Sequence, residues 1–480
     1  MAKTTEDLIA TYAESDGLAL ANLVRTGEVS PAELVEAAVT IIDRVNPRLN
    51  AVVHRLYDMA RAAVPGVDRN APFAGVPFLL KEIGMSWKGA PLTNASAWMR
   101  DLVATEDSEL VRRIKAAGFV LIGKSNTPEH GWCISTEPKL YGRTHNPWRD
   151  DVTPGGSSGG AAAAVAARLV PIADASDGAG SIRVPASCCG IIGLKPSRGR
   201  ISMSPAGDIW HGCVYLLCVA RTVRDAAAYL DAVAGELPGD PYPLPRPPTT
   251  WLAASSRPPA RLRIGFSVRP PDGNPVDPEV EAAVRDTAAL LARLGHEVEE
   301  HDLKFDVETA WPLYTRMTCV QTARMVEELA PLVGRPVTRN DVEPANWAII
   351  ERGRATSGVR HSADVDYIRV LSRTIASDLA RFDIYVTPTL TQLPRPFGHP
   401  DMSEPDLDRY STQWTDAVYM FPFNISGQPA LSLPLRWSKS GLPIGVHFVG
   451  RLGDEAGLLS LAGVLEQELP WRDRKPPVCA

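Results

Sequence analysis

Apolar and polar positions in the first 50 residues alternate with the period of an α-helix. Ser30, Pro31 and Glu33 have the pattern of a capping box with proline at the first helical position. From Leu34 onward, apolar residues recur at intervals of three and four residues. We therefore predict a helical N-terminal segment, with a helix from residue 31 that ends at Asn46-Pro47, because proline interrupts helical hydrogen bonding.

Two short apolar runs, each closed by a lysine, follow this helical segment. The first run, residues 75–80, is followed directly by Lys81, and the second, residues 119–122, is followed by Gly123 and Lys124. A helix capped by Ser108 is predicted between them. Strands that alternate with helices predict an α/β fold, with a mixed central β-sheet covered by helices on both faces. Active sites in such folds lie beyond the ends of the strands.

The pattern of strands and helices continues to the C-terminus. The later predicted elements are an Ala-rich helix at 161–167, strands at 170–173, 261–268, 296–299, 382–387 and 441–449, helices at 277–294 and 458–469, and a proline-rich surface linker at 238–259. We predict a single domain over residues 1–480. Its parts are a helical segment at 1–60, a core at about 70–230 and a C-terminal α/β part at about 260–480.

Composition and charge favour an ordinary globular protein with a small-molecule ligand. Apolar residues make up 45% of the chain and charged residues 22%, and the net charge is −6. A net negative charge gives no reason to expect a nucleic-acid or anionic-membrane partner. Residues 1–7 lack the apolar core of a signal peptide, and the longest apolar run, 160–173, is too short to span a membrane. We expect a cytoplasmic protein, and a homodimer stays an open alternative.

The cysteines and histidines give no pattern of a metal or disulfide site. Seven cysteines are scattered without a Cys-x-x-Cys pair, and nine histidines form no His-Glu-x-x-His motif. The odd number of cysteines also speaks against a disulfide framework. The sequence therefore predicts no metal and no cofactor.

Two Gly/Ser-rich turns carry the candidate chemistry, one at 155–160 and one at 177–183. Glycine lets the backbone approach a ligand closely and turn successive N–H groups into one concavity, which can act as an oxyanion hole. A serine in such a turn becomes a nucleophile only when a base removes its proton. A buried lysine can be that base because burial favours its neutral form. On these grounds alone Lys81 and Lys124 are rival bases, and an anion cradle is an alternative use of the first turn.

Longer stretches of the chain resemble a known family. Residues 75–82 are similar to the lysine motif of the amidase signature family, and residues 154–187 are similar to its Gly/Ser signature. Further similar stretches are 123–129, 190–196, 423–430 and 443–446. Together they span nearly the whole chain.

The resemblance implies a catalytic set of Ser181 as nucleophile, Ser157 as a relay in a cis peptide bond after Gly156, and Lys81 as base. It implies a serine hydrolase that cleaves C–N amide bonds through an acyl-enzyme, with carbamates, esters and nylon-type oligomers as open alternatives. The implied oxyanion hole consists of the N–H groups of Gly178, Ala179, Gly180 and Ser181.

The second turn departs from the family pattern at one position. Ala179 stands where the family usually has glycine, and alanine would be strained if this position required a positive φ. A similar Ala-Gly-Ser turn occurs in the branch of the family that contains nylon-oligomer hydrolases. Residues 126–129 and 146–148 are also similar to that branch.

Residues around the triad are given supporting and binding roles. We expect Ser158 to hydrogen-bond the second turn, and Asp177 and Arg183 to brace it through charge-assisted hydrogen bonds. The candidate substrate-binding residues, assigned by position in the resemblance, are Trp132, Cys133 and Cys319. The pocket itself is predicted from the segments at about 130–145, 205–220 and 310–350, in which Trp311, Tyr314, Met317 and Trp347 are candidate lining residues.

Two other functions remain open at this point. A glutaminase-type amidotransferase subunit, which needs a partner chain, shares the same three catalytic residues. A phosphate- or nucleotide-binding protein could use residues 155–160 as a cradle, but no Gly-Lys-Ser/Thr follows that loop.

Overall fold

The computed structural model describes residues 5–480. Residues 1–4, which belong to the segment predicted to lack the apolar core of a signal peptide, lie outside the described residues. Eleven strands form one sheet. They are β1 Val52–Arg55, β2 Pro77–Lys81, β3 Val120–Ser125, β4 Ile172–Asp177, β5 Ile192–Lys195, β6 Tyr215–Ala220, β7 Arg263–Phe266, β8 Glu297–Glu300, β9 Ile384–Pro388, β10 Ala430–Trp437 and β11 Pro443–Gly450.

Sixteen α-helices are present in the described part of the chain. They are α1 Thr5–Glu14, α2 Gly17–Thr26, α3 Pro31–Leu49, α4 Tyr57–Ala63, α5 Glu109–Ala116, α6 Gly159–Ala166, α7 Arg183–Cys189, α8 Val223–Val233, α9 Trp251–Ser255, α10 Pro278–Arg293, α11 Val307–Val333, α12 Pro344–Ala355, α13 Gly358–Asp378, α14 Leu407–Ser411, α15 Phe421–Ser426 and α16 Glu455–Glu468. Within residues 5–480, no helix has the length and apolarity needed to cross a membrane.

The strand order is β1-β3-β2-β4-β6-β5-β10-β11-β9-β7-β8. Strand β2 is parallel to both β3 and β4, and β7 is parallel to both β8 and β9, whereas the remaining neighbours are antiparallel. The predicted fold class, an α/β fold with a mixed central sheet covered by helices on both faces, is confirmed. Because β2 and β4 are parallel neighbours, their carboxyl ends meet at one edge of the sheet, and Lys81 and Asp177 are the last residues of these strands.

Two local predictions differ from the structure. Helix α3 continues through Pro47 to Leu49, where Asn50 ends it in a left-handed conformation and donates its N–H to the carbonyl of Asn46. A proline removes one helical hydrogen bond but adopts helical φ, so the last turn tolerates it. The predicted linker at 238–259 contains the short helix α9, whose Trp251 is buried in the main core.

Most of the core lies between the sheet and helices such as α3 and α6. Every residue of α6 is buried, and its glycines and alanines allow this close approach. An added Cβ on Gly160 would lie 2.3 Å from the backbone nitrogen of Asn126, so only glycine fits there. This helix begins directly after the first Gly/Ser turn, so its burial fixes the position of Ser157 and Ser158.

Candidate active site

Lys81 is fully buried at the end of β2 and contacts the first Gly/Ser turn. Its Nζ donates to Oγ of Ser157 at 2.7 Å and to Oγ of Ser176 at 2.9 Å. Its backbone N–H donates to Oδ2 of Asp174 at 3.2 Å. Asp174 and Ser176 lie two residues apart on β4, so the same face of that strand reaches both the backbone and the amine of Lys81.

The surroundings of Lys81 favour its neutral form. Burial lowers the pKa of Lys81 to about 7, although the carboxylates of Asp174 and Asp177 partly oppose this shift. Burial also raises the pKa of Asp174 to about 7. An amine with a pKa near neutrality can accept a proton under ordinary conditions, which an exposed lysine cannot do.

The two Gly/Ser turns are joined by hydrogen bonds. The Gly156–Ser157 peptide bond is cis, as the resemblance implied. The N–H of Ser158 donates to the carbonyl of Ser181 at 3.2 Å, and the Ser158 hydroxyl donates to the carbonyl of Ser176 at 3.3 Å. Ser158 thus ties the first turn both to the second turn and to β4.

A buried network of charged and amide groups supports the second turn. Arg183 donates from Nε and Nη2 to the two carboxylate oxygens of Asp177 at 2.9 and 2.8 Å. Asn424 of α15 donates to Asp177 Oδ1 at 2.8 Å and accepts from Arg183 at 2.6 Å. Burial alone would raise the pKa of Asp177, but the Arg183 guanidinium and the Asn424 amide hold it well below its ordinary value. The carboxylate therefore stays charged and fixes the turn.

Within the second turn, the positive φ falls on glycine. Gly180 has a φ of 118°, whereas Ala179 does not have a positive φ. The backbone strain considered for an alanine at this position therefore does not arise. The N–H of Gly180 donates to Asp177 Oδ1 at 2.7 Å and is therefore already used. Of the four N–H groups predicted for an oxyanion hole, that of Gly180 thus has a partner within the protein, and those of Gly178, Ala179 and Ser181 remain as candidates.

A cavity of about 630 Å³ opens onto the two serines. Ser157, Ser181 and Ala179 lie in its wall, and the rest of the wall is mostly apolar and aromatic. All three segments predicted to form the pocket contribute to the wall. A further part of the wall, between Ile83 and Met99, was not predicted.

Comparison with known proteins identifies the family. A sequence model of the amidase family matches residues 33–459. The chain belongs to the amidase signature family. It is 40% identical over 475 residues to the 6-aminohexanoate-cyclic-dimer hydrolase of Paenarthrobacter ureafaciens, with 96% of each chain covered.

Solved structures agree with this assignment. The structure of 6-aminohexanoate cyclic dimer hydrolase complexed with substrate matches with a TM-score of 0.93 and 39% identity, covering 98% of this chain and 100% of the other. A bacterial aryl acylamidase of the amidase signature family matches with a TM-score of 0.84 and 26% identity, covering 98% of both chains. The chain is therefore an enzyme, an amidase signature hydrolase that acts on amide bonds, as predicted.

The predicted substrate-binding residues of this amidase lie in three different places. Trp132 lines the cavity, and its indole N–H donates to the Thr322 hydroxyl at 3.0 Å. Cys133 faces a separate pocket and donates to the carbonyl of Pro400 at 3.5 Å. Cys319 is buried within α11 and is not part of the cavity wall. The structure thus places Trp132, but neither cysteine, in the wall of the cavity that contains Ser157 and Ser181.

The aromatic candidates divide in the same way. Trp311 and Tyr314 of α11 line the cavity of the amidase, whereas Met317 is buried in the core beside it and Trp347 packs in another cluster. Tyr314 also donates its hydroxyl to the carbonyl of Gly178. This hydrogen bond connects α11 directly to the second Gly/Ser turn, and no pattern in the sequence indicated it.

Lys124, the rival base, has a different partner in the amidase. Its Nζ lies 2.8 Å from Oε2 of Glu82 and donates to the carbonyl of Pro91 at 2.7 Å. The amine of Lys124 is thus held by Glu82 and Pro91, whereas the amine of Lys81 is held by Ser157 and Ser176. In the described part of the chain, no cluster of three or more His, Cys, Asp or Glu side chains could hold a metal, and all seven cysteines are free thiols.

Proposed function

We propose that this amidase cleaves amides through Ser181, with Ser157 as proton relay and Lys81 as base. The observation that carries the proposal is the 2.7 Å hydrogen bond between Lys81 Nζ and Ser157 Oγ, in a site where burial lowers the pKa of Lys81 to about 7. Ser157 and Ser181 line the same cavity, and Ser158 joins their turns. A relay needs a neutral amine, a bridging hydroxyl and a nucleophile in this order.

The reaction begins when the hydroxyl of Ser157 passes its proton to neutral Lys81 and takes the proton of Ser181. Ser181 Oγ then attacks the amide carbonyl, and the free N–H groups of the second turn stabilise the oxyanion. Each such donor is typically worth about 3 kcal/mol. The protonated Lys81 returns its proton through Ser157 to the leaving amine, which leaves an acyl-enzyme on Ser181. Water then attacks this ester with the same relay.

The cavity wall, which is mostly apolar but also includes Asp208, Arg324 and Glu328, supports a largely apolar substrate. Aromatic side chains such as Trp132, Trp210 and Trp311 contribute to its wall, and its volume is about 630 Å³. A cavity of this size and lining suits molecules with aliphatic segments between amide groups. We propose nylon-type oligomers of ω-amino acids as the substrate class, by likeness to the 40% identical hydrolase. Carbamates and esters, which undergo the same attack on a carbonyl, are further candidates.

The decisive experiment replaces the nucleophile and looks for the covalent intermediate. Ser181→Ala should lower the turnover of an aliphatic 4-nitroanilide by at least about 10³-fold. Intact mass spectrometry after quenched incubation with a 4-nitrophenyl ester should find one added acyl group on the wild type and none on the variant. The exposed Ser256 provides a matched control, and Ser256→Ala should behave as wild type. Full anilide turnover by Ser181→Ala would refute the mechanism.

A comparison of anilide and glutamine as substrates separates this function from that of an amidotransferase subunit. A glutaminase-type subunit would hydrolyse glutamine and depend on a partner chain, whereas we expect the purified chain to hydrolyse anilides and not glutamine. A cytoplasmic location and a homodimer stay predictions from the sequence. Sedimentation of the purified chain tests the second.

A further inference from the structure

One turn of the cavity wall has an unfavourable backbone conformation. In this wall turn, residues 208–212, Trp210 has a φ of 52° and His211 has a φ of 53°. A left-handed conformation is uncommon for residues with large side chains, and it persists only where neighbouring contacts fix it. The contacts of the wall turn therefore show what keeps Trp210 in its position.

Side chains from two helices meet at His211. Its Nε2 lies 3.0 Å from Nε2 of His361 on α13 and 3.1 Å from the amide nitrogen of Gln321 on α11. The centroids of the two imidazole rings are 5.0 Å apart. We call these three side chains the histidine clasp, because they join the wall turn to two helices that lie more than 100 residues further along the chain.

The residue before His211 covers the second Gly/Ser turn. Trp210 lines the cavity, and a Cβ added to Gly178 would lie 2.6 Å from Cζ3 of its indole, so the ring rests directly on this glycine. The ring also packs against Trp132, at 5.4 Å between centroids, and against Tyr314, at 6.4 Å. A single residue, Trp210, thus connects the histidine clasp to a candidate oxyanion donor.

The hydrogen bond within the histidine clasp depends on the charge of both rings. Between two imidazole nitrogens, one must donate an N–H and the other must accept with a lone pair. When both rings are protonated, both nitrogens are donors and both rings carry a positive charge, so the contact is lost. Burial lowers the pKa of His361, and burial together with the charge of His361 lowers the pKa of His211. Both rings are therefore neutral at neutral pH.

Charged neighbours modify these pKa values without reversing them. The charged side chains around the histidine clasp are Asp208, Arg324, Arg369 and Asp364, the last of which is ion-paired with Arg316 and Arg360. The two arginines Arg324 and Arg369 lower the pKa of His211, whereas the aspartates oppose the lowering at their own histidine. Because burial is the largest influence, both pKa values stay below the ordinary value of 6.5. The contact is therefore present above this pH and is lost in acid.

We propose that His211 is a positioning residue, which holds Trp210 against Gly178 through its contact with His361 and Gln321 and releases Trp210 in acid. The inference rests on the proposed function, because the second turn affects turnover only if it carries the nucleophile. It adds to that function an acid-sensitive control that is separate from the titration of Lys81. Neither histidine lines the cavity in the described chain or takes part in the proton relay.

The first test removes the titration and keeps the hydrogen bond. The side-chain amide of His361→Gln can donate to His211 but cannot take up a proton, so kcat/KM for an aliphatic 4-nitroanilide should equal that of the wild type at about pH 8. At about pH 5.5 the variant should be at least about 3-fold faster than the wild type. Protonation of Lys81 slows both enzymes alike and cancels in their ratio.

Two further variants separate positioning from a general loss of structure. His361→Phe removes the donor and should lower kcat by about 5-fold at about pH 8, a loss that His361→Gln does not show. His296 provides the matched control, because burial lowers its pKa too, but it accepts from the N–H of Leu262 and does not contact the wall turn. The ratio of His296→Gln to the wild type should stay constant over the same pH range.

A second readout follows Trp210 without turnover. The fluorescence difference between the wild type and Trp210→Phe should change as the pH falls below 6.5, and the same difference measured in a His361→Gln background should not. A kcat/KM ratio for His361→Gln that is independent of pH, or an equal fluorescence change in both backgrounds, would overturn the inference. If Ser181→Ala keeps anilide turnover, the proposed function fails, whereas a fluorescence change confined to the His361 background still supports the release of Trp210.

Discussion

Burial changes the proton affinity of two groups at the relay in opposite directions. It lowers the pKa of Lys81 to about 7 and raises the pKa of Asp174 to about 7. Near neutrality both groups can therefore be uncharged, which avoids the cost of burying an ion pair. The charges of the Lys81 amine and the Asp174 carboxylate also influence each other's pKa, so a measured midpoint reports on both groups.

The rate should follow the neutral form of Lys81. Because a lysine loses its charge above its pKa, kcat/KM for an anilide should rise with pH, with a midpoint of about 7, and then level off. Asp174→Asn removes an anion that raises the pKa of Lys81, so the midpoint should move to lower pH. The exposed Asp101 serves as control, and Asp101→Asn should leave the profile unchanged. A midpoint near 10 would contradict the assignment of Lys81 as a neutral base.

At the residue scale, the sequence predicted the reacting groups but not all of their neighbours. The glycine-rich turns marked Ser157 and Ser181 as candidates, and the family resemblance favoured Lys81 over Lys124. Ser176 could have been found from the two-residue period of β4, since it lies on the same face as Asp174. Nothing local marked the hydrogen bond from Tyr314 to Gly178, because it joins residues that are far apart in the chain.

At the scale of elements, α11 forms one wall of the cavity and also contacts the second Gly/Ser turn through Tyr314. It runs from Val307 to Val333 and contains Pro312 and Pro331, which obscure the helical pattern in the sequence. The same difficulty misplaced the end of α3 at Pro47. Segment 310–350 was therefore predicted only as a pocket segment, although its helices determine which residues face the substrate.

The hydrogen bond from Tyr314 to Gly178 should matter for catalysis more than for binding. Tyr314→Phe keeps the ring in the cavity wall but removes the bond that positions the second turn. We expect kcat to fall about 10-fold, or about 1.4 kcal/mol, with KM nearly unchanged. Tyr419 is a matched control, because its buried hydroxyl has no hydrogen-bond partner in residues 5–480. A kinetic comparison in which Tyr314→Phe and Tyr419→Phe behave alike would exclude this positioning role.

At the scale of the whole molecule, the site is built from both halves of the chain. Lys81, Ser157 and Ser181 come from the first half, whereas α11 and α15 come from the second. One continuous sheet runs from β1 in the first half to β8 in the second. The family motifs predicted that distant segments meet, but the strand order that brings them together follows from long-range pairing that no local pattern records. The single domain over residues 1–480 stays a prediction.

Unfolding of the chain tests that prediction, and Asn424 is the residue to change. Asn424 donates to Asp177 of the first half and accepts from Arg183, all within the core. Asn424→Ala leaves several of these buried groups without partners and should lower the free energy of unfolding by about 2–4 kcal/mol. If residues 1–480 form one domain, urea should change the tryptophan fluorescence and abolish anilide turnover in one coincident transition. The variant should shift this transition to a lower urea concentration. Separate transitions for fluorescence and activity, with only the activity shifted by Asn424→Ala, would mean that the two halves unfold independently.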